Sequence, residues 1–143
     1  MNSDLDFSIC DILHFDEYTF TDDNSSADHF GLVLLPSKAT KYQNSILCCV
    51  ITSQEPQRKN LVIELGCDKY RCFNRTSYAC FNRKDLQSKS GLSKREQPVG
   101  KLNQNDRIEA YKKLKKSLYA IQDIASTWLR ATIFREWAKI KTS

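Results

Sequence analysis

The spacing of apolar residues changes near residue 105, and this change limits the folds that are open to the chain. Before this point the apolar residues form short, dense runs of strand length, and after it they recur every three or four positions. The first pattern is typical of β-strands, and the second is typical of an amphipathic helix. The sequence therefore predicts a β-rich region followed by a helical C-terminal region.

Five segments in the first 81 residues are predicted to be strands. They are rich in β-branched and aromatic residues, and most of them end at proline, at glycine or in a polar cluster. Thr21 to Asp28 contains mostly Asp, Asn and Ser, so it is predicted to be an exposed loop. The predicted strands, which together indicate a strongly bent antiparallel sheet, are Ile9 to Phe20, Phe30 to Leu35, Ser45 to Thr52, Leu61 to Leu65 and Ser77 to Phe81.

The C-terminal third of the chain is predicted to be helical. An irregular connection, Asp85 to Gly100, leads into it, and Asp106 followed by Glu109 resembles a capping box. The helical region is predicted to reach about residue 139 and to break near Ser126-Thr127. Its apolar stripe begins with Ile108, Tyr111, Leu114, Leu118 and Ile121.

The length of 143 residues fits one domain. We predict a small antiparallel SH3-like barrel with its connections over residues 9–104 and a long helical extension over 105–140. No apolar run approaches the roughly 20 residues that span a bilayer, and no leader pattern opens the sequence, so we expect a cytosolic protein without a membrane segment.

The six cysteines do not have the spacing of a structural zinc site, and in the cytosol they are expected to be reduced. We therefore interpret them as small buried hydrophobic residues, and we expect neither a metal nor a cofactor. The sequence also lacks a glycine-rich phosphate loop and the signatures of zinc proteases and serine hydrolases. These absences argue against an ATP-driven enzyme or a zinc protease.

Charge is distributed unevenly along the chain. Residues 1–70 contain 5 Lys and Arg against 11 Asp and Glu, whereas residues 71–143 contain 17 against 6. A cationic region gains affinity for polyanions by releasing counterions from their phosphates, so RNA or DNA is a candidate partner. Arg58 and Lys59 in one loop, and Arg71 and Arg75 near Phe73, are the predicted nucleic-acid contacts, whereas the lysines near Leu114 fit a solvated helix face.

A series of short motifs resembles the MazF/PemK family of toxins over about residues 10 to 118. That family has a Gly-Asp-Ile strand, an Arg-Pro-x-Leu-Val-Leu strand, a strand ending in Thr-Ser, a Ser-Tyr-Val segment and an Ile-Gly-x-Leu element before its last helix. The corresponding segments, in the same order, are Cys10-Asp11-Ile12, Phe30 to Leu35, Cys49 to Ser53, Ser77-Tyr78 and Val99 to Leu102.

The resemblance implies an SH3-like barrel, a homodimer, neutralisation by an antitoxin and metal-independent cleavage of single-stranded RNA. Thr52-Ser53 keeps the family's Thr-Ser, but His29-Phe30 stands where the family has Arg-Pro, whose arginine is catalytic. Cys10 replaces the glycine of the first motif, which the chain tolerates if its backbone needs no positive φ angle there. Two alternatives stay open, a non-catalytic module that binds RNA or a protein, and a gyrase-directed inhibitor of related fold.

The catalytic prediction places His29, Thr52 and Ser53 together at the ends of two strands. Histidine titrates near neutrality and serves as a base or an acid, whereas arginine stays protonated and chiefly stabilises charge. His29 is thus predicted to take a changed catalytic role, with Thr52 or Ser53 bonding a phosphate oxygen. Bases are predicted to stack on Phe73 or Tyr78, although Tyr78 also fits the core.

Overall fold

In the computed structural model, the described residues are 6–20, 25–40, 42, 44–57, 61–93, 97–120 and 127–140. This part of the chain forms one antiparallel sheet of six strands, with three α-helices. The strands are β1 (Asp11–Thr19), β2 (Ser26–Leu35), β3 (Ser45–Thr52), β4 (Val62–Leu65), β5 (Ser77–Ser88) and β6 (Gly100–Lys101). The helices are α1 (Ser37–Thr40), α2 (Gln104–Ala120) and α3 (Thr127–Ile140).

The sheet is bent, because β5 carries more residues than the strand beside it. The strand order is β4-β5-β3-β2-β1-β6, and every neighbouring pair is antiparallel. In the β3–β5 ladder, Cys49 lies opposite Lys84 while Ile51 lies opposite Ala79, so additional β5 residues lie between the two pairs. Extra residues of this kind bend a strand and increase its twist. The predicted mainly β fold class with C-terminal helices is confirmed.

Both faces of the central strands are buried, and this explains their continuous apolar sequence. Along β3, Leu47, Cys49 and Ile51 belong to one apolar cluster, whereas the alternate residues belong to a second one. Successive strand side chains point to opposite faces, so a strand buried on both sides has no polar alternation. These alternate residues of the second cluster are Ile46, Cys48 and Val50.

The two long helices contribute to the first of these clusters. Trp137 of α3 is fully buried, stacks on Tyr111 of α2 with the ring planes 9° apart, and donates its indole N–H to the Leu34 carbonyl at 2.9 Å. A buried tryptophan anchors a helix because its ring buries a large apolar area and its bonded N–H fixes the orientation of the ring. The helical extension is therefore packed on β2. None of the helices in the described ranges is long and apolar enough to span a membrane.

Two strands are longer than predicted. β2 begins at Ser26, within the segment predicted as a loop, and β5 continues to Ser88 instead of ending at Phe81. Both extensions are polar, but they have ladder partners, since Ser26 pairs with Thr19 and Ser88 pairs with Ser45. Backbone pairing does not depend on side-chain polarity, so these segments carry no strand pattern in the sequence, although Lys84, Asp85 and Gln87 of β5 are buried.

The sequence prediction named the wrong capping residue for α2. Asn103 caps the helix, because its side-chain oxygen accepts the N–H of Asp106 at 2.8 Å. The carboxylate of Asp106 instead accepts the hydroxyl of Tyr70 at 2.5 Å. α3 begins at Thr127, next to the predicted break, and residues 121–126 lie outside the described residues.

The cysteines are free thiols, and four of the six are buried. The prediction of small buried hydrophobic residues is confirmed for Cys10, Cys48, Cys49 and Cys80, but Cys67 is exposed and Cys72 is half-buried. Cys10 also has a φ of 74°, in the left-handed region. The backbone at this position therefore does need the positive φ angle that a glycine adopts more easily.

A candidate active-site cleft

An open cleft of about 610 Å³ lies where β2 begins and β3 ends. The loop that leads into β5 completes its walls. A mixture of one imidazole, hydroxyls, an amide-rich loop and one guanidinium on an apolar floor is typical of a ligand site. The lining residues are Asp28, His29, Phe30, Ile51, Thr52, Ser53, Gln54, Phe73, Asn74, Arg75 and Ser77.

The strand register brings two of the predicted catalytic residues level with each other. Phe30 of β2 lies opposite Ile51 of β3. One step further along both antiparallel strands, His29 is level with Thr52, so the two side chains lie on the same face of the sheet. The sheet therefore presents an imidazole and a hydroxyl from adjacent strands beside one cleft.

His29 is half-buried against aromatic rings. Its ring meets Phe20 at a centroid distance of 5.3 Å and Tyr18 at 6.2 Å, both edge to face. Burial lowers the pKa of His29 from its usual value of 6.5, and the nearby carboxylate of Asp28 offsets part of this effect. The lowered pKa favours the neutral imidazole, which is able to accept a proton.

The two hydroxyls lie at the exit of β3. Thr52 Oγ1 accepts the backbone N–H of Gln54 at 3.2 Å, which holds the side chain in one orientation. A hydroxyl that accepts one bond keeps its own proton for a second acceptor. Ser53 is exposed on the rim. Both residues therefore offer O–H donors at this end of the cleft.

The loop wall contributes Phe73 and Arg75. Phe73 is only 4% exposed and packs edge to face on Phe30, with the ring centroids 4.9 Å apart, so it forms part of the floor with a small accessible area. Arg75 is exposed, and its carbonyl accepts the hydroxyl of Ser77 at 3.1 Å, which links the loop to the start of β5.

Not every predicted site residue reaches the cleft. Arg71 is exposed but is not among the lining residues. Arg58 and Lys59 lie outside the described residues. Tyr78 is half-buried and packs against the second apolar cluster, and Phe81 is fully buried in the first.

Sequence reasoning missed four polar lining residues, Asp28, Gln54, Asn74 and Ser77. Gln54 and Asn74 lie in polar segments next to residues that were singled out, and this adjacency was the signal that could have found them. Asp28 was assigned to a loop and becomes recognisable only once β2 is known to begin at Ser26.

The fold is similar to solved structures of bacterial toxins. The Mycobacterium tuberculosis toxin MazF-mt6 superposes with a TM-score of 0.58 at 9% identity, over 76% of this chain and 96% of that one. A TM-score above 0.5 over nearly the whole of the smaller protein reflects a shared architecture. The chain has the fold of the MazF toxins.

Two further solved structures also match the fold of this chain. A mycobacterial endoribonuclease in complex with its cognate antitoxin matches with a TM-score of 0.56 and 10% identity, over 78% of this chain and 94% of that one. A crystal structure of an M. tuberculosis toxin matches with a TM-score of 0.54 and 10% identity, over 74% of this chain and 98% of that one. No protein-family model matches the sequence, and comparison with curated protein sequences gives no match. The MazF resemblance predicted from the motifs is therefore confirmed for the fold.

Proposed function

We propose that this protein is a MazF-like endoribonuclease that cleaves single-stranded RNA without a metal ion. The observation that carries the proposal is the cleft, in which His29, Thr52, Ser53 and Arg75 meet on a MazF fold. Each of these groups supplies one requirement of RNA cleavage by the ribose 2′-hydroxyl, namely a base, hydrogen-bond donors and a cation.

His29 acts as the base. Its neutral imidazole, favoured by burial, takes the proton of the 2′-hydroxyl, and the 2′-oxygen then attacks the adjacent phosphorus. The bond to the 5′-oxygen breaks, and this oxygen takes a proton from solvent in the open cleft. The products are an RNA with a 2′,3′-cyclic phosphate and an RNA with a 5′-hydroxyl.

Thr52, Ser53 and Arg75 stabilise the charge that develops on the phosphate. The hydroxyls of Thr52 and Ser53 donate to non-bridging oxygens, and the exposed guanidinium of Arg75 pairs with the same or the next phosphate. In this scheme the lost family arginine is replaced by two groups, since His29 accepts the proton and Arg75 provides the positive charge.

Partners follow from the same proposal. One of the matched endoribonucleases was solved with its cognate antitoxin, so we propose an antitoxin as a protein partner, together with a homodimer and a cytosolic location. The 17 Lys and Arg against 6 Asp and Glu in residues 71–143 favour a polyanionic substrate.

The test is cleavage of a fluorescently labelled single-stranded RNA by purified protein in excess EDTA. We expect fragments that end in a 2′,3′-cyclic phosphate, identified by mass spectrometry. His29→Ala and Thr52→Ala are expected to abolish cleavage while their far-UV circular dichroism stays native. Glu64→Gln, an exposed carboxylate on β4, is the matched control and is expected to retain activity.

One observation favours a second candidate, a non-catalytic RNA-binding module. The family's catalytic Arg-Pro is replaced by His29-Phe30, so this fold has lost its usual charge stabiliser at that position. If RNA binds at micromolar protein concentration but stays intact over hours, the module is the correct function. A supercoiling assay separates both from the gyrase-directed alternative.

A further inference from the structure

The loop that leads into β5, residues 66–76, is anchored at a point outside the cleft. Tyr70 lies in the middle of this loop, is 6% exposed and is not among the residues that line the cleft. Its hydroxyl donates to the Asp106 carboxylate and accepts the backbone N–H of Asn103 at 3.1 Å. Burial raises the pKa of Tyr70, and the bond to Asp106 adds to this effect, so the hydroxyl keeps its proton and stays a donor. The loop is therefore hydrogen-bonded to the N-terminal end of α2.

The end of α2 that receives these bonds is itself held against the sheet. Just before the helix begins, the N–H of Leu102 bonds to the Cys10 carbonyl at 3.1 Å. Further along the helix, Leu114 is buried in the first apolar cluster, and the Tyr111 ring stacks on Trp137. Contacts at both ends of a helix leave it little freedom to move relative to the sheet. The N-terminal end of α2 is thus a fixed support for the loop.

Tyr70 also contributes to the shape of the loop beside the cleft. Its N–H bonds to the Gly66 carbonyl at 3.0 Å, and its own carbonyl accepts the N–H of Phe73 at 3.1 Å, which closes a turn. The rings of Tyr70 and Phe73 lie 6.4 Å apart. Phe73 forms part of the cleft floor, and Asn74 and Arg75, which follow it, line the cleft as well. A displacement of Tyr70 is therefore passed on to the floor and to the guanidinium.

We propose that Tyr70 is a positioning residue for RNA binding, because its hydroxyl holds the wall that carries Phe73 and Arg75 against the fixed end of α2. The inference rests on the proposed function, since RNA is the ligand for which this wall is positioned. Tyr70 touches neither the reacting atoms nor the substrate, and it acts through the loop. No step of the cleavage scheme changes.

The wall that carries His29 is independent of this anchor. The ring neighbours of His29 are Tyr18 of β1 and Phe20 beside it, and the carboxylate that acts on its pKa is Asp28 of β2. Loss of the Tyr70 hydroxyl is therefore expected to weaken RNA binding and to leave the pKa that governs the cleavage rate unchanged.

Amide hydrogen exchange in the absence of RNA tests the anchoring. Tyr70→Phe keeps the buried ring but removes both hydroxyl bonds, so the Phe73 N–H is expected to exchange about fivefold faster while the amides of β3 keep their rates. Asp106→Ala is expected to speed the same amide, and Asp106→Asn, which keeps a side-chain oxygen as acceptor, is expected to speed it less. Tyr42→Phe alters a tyrosine that is 54% exposed and outside the cleft, and this matched control is expected to exchange as the unmodified protein does.

Fluorescence anisotropy with a labelled, non-cleavable 2′-deoxy oligonucleotide tests the positioning role. Tyr70→Phe is expected to weaken binding about threefold to fivefold in the unmodified protein, and by less than about twofold when Arg75 is already alanine. The second loss is smaller because a positioning contact acts through the group that it positions. A hydroxyl that only stabilised the fold would cost the same affinity in both backgrounds.

The outcomes separate this inference from the proposed function. An unchanged exchange rate of the Phe73 amide in Tyr70→Phe would overturn the anchoring, and equal losses of affinity in the two backgrounds would overturn the positioning role while the proposed function stands. A shifted pKa in the rate profile of Tyr70→Phe, measured in EDTA, would also overturn it, because the hydroxyl would then act through His29. Absence of oligonucleotide binding and RNA cleavage in the unmodified protein would overturn both proposals together.

Discussion

His14 and His29 lie on paired strands, in adjacent rows of the same ladder, yet their hydrogen-bonding surroundings differ. His29 contacts the rings of Phe20 and Tyr18 and lines the cleft. His14 is bonded through both ring nitrogens, to Ser93 and to Asp28. A ring bonded at both nitrogens is suited to a fixed structural role, whereas a ring whose nitrogens are not both bonded is suited to exchanging a proton.

The difference arises from the two-residue period of the strand. Phe15 pairs with His29 and His14 pairs with Phe30, so a shift of one row exchanges the two faces. Asp28 is common to both environments, because it contacts His14 and its charge acts on His29. The following experiments test how far the two histidines are independent.

The largest expected effect is on the cleavage rate when the ring of His29, rather than that of His14, is replaced. His29→Phe keeps an aromatic ring against Phe20 and Tyr18 but removes the base, so the cleavage rate is expected to fall by about 10²- to 10⁴-fold. His14→Phe is the matched variant, and its loss is expected to be at least tenfold smaller. Both rates are measured on labelled single-stranded RNA in EDTA.

Thermal unfolding of the same two variants provides the control. His29→Phe is expected to melt close to the unmodified protein, because its edge-to-face contacts persist. If His14→Phe loses as much activity as His29→Phe while both remain folded, the division of roles between the two histidines is wrong.

The pH dependence of cleavage should follow His29. Because a base must be unprotonated, the rate is expected to fall tenfold per pH unit below the pKa of His29 and to be level above it. Burial lowers this pKa, so the acid limb should begin below pH 6.5. A limb that begins above pH 6.5 in a rate profile measured in EDTA would contradict the assignment.

The free energy of unfolding is expected to decrease with falling pH, as the cleavage rate does. The lowered pKa means that the unfolded chain binds a proton at His29 more strongly than the folded chain does. The free energy of unfolding is therefore expected to decline as the pH falls through the unfolded value near 6.5, and His29→Phe should remove that part of the decline. Urea unfolding between pH 5 and pH 8 measures it.

The sequence predicts much of this arrangement but not the hydrogen-bonded contacts of His14. Ser45 to Thr52 was predicted with its observed bounds, since a strand buried on both faces is a continuous apolar run. His29 and Thr52-Ser53 were recognised because they flank such runs. Ser93 lies 79 residues from His14 in the chain, and no local pattern relates residues so far apart.

Backbone geometry is the other feature that the sequence does not predict. The sequence shows a cysteine at position 10, and only the structure shows that its φ is 74°. The polar continuation of β5 to Ser88 was missed for a related reason, because ladder pairing does not depend on side-chain polarity.

A smaller effect is expected for arginines inside and outside the cleft. Arg75→Ala should weaken RNA binding by about fivefold to tenfold and reduce the slope of log affinity against log salt by about one, because one phosphate contact is lost. Arg71→Ala removes an exposed arginine outside the cleft and should change affinity by less than about twofold. Fluorescence anisotropy with a non-cleavable 2′-deoxy oligonucleotide measures both, and equal losses would place RNA elsewhere.

The smallest expected effect tests the one residue that the two histidines share. The Asp28 carboxylate raises the pKa of His29 against the effect of burial, so Asp28→Asn should lower this pKa and move the acid limb of the rate profile to lower pH. Asp28 is 68% exposed, and its charge is partly screened by solvent, so the displacement should shrink as salt is raised. Asp16→Asn is the matched control, because its carboxylate is not among the charges that shift His29. A displacement to higher pH in Asp28→Asn, or an equal displacement in both variants, would show that the two histidines are coupled through something other than the Asp28 charge.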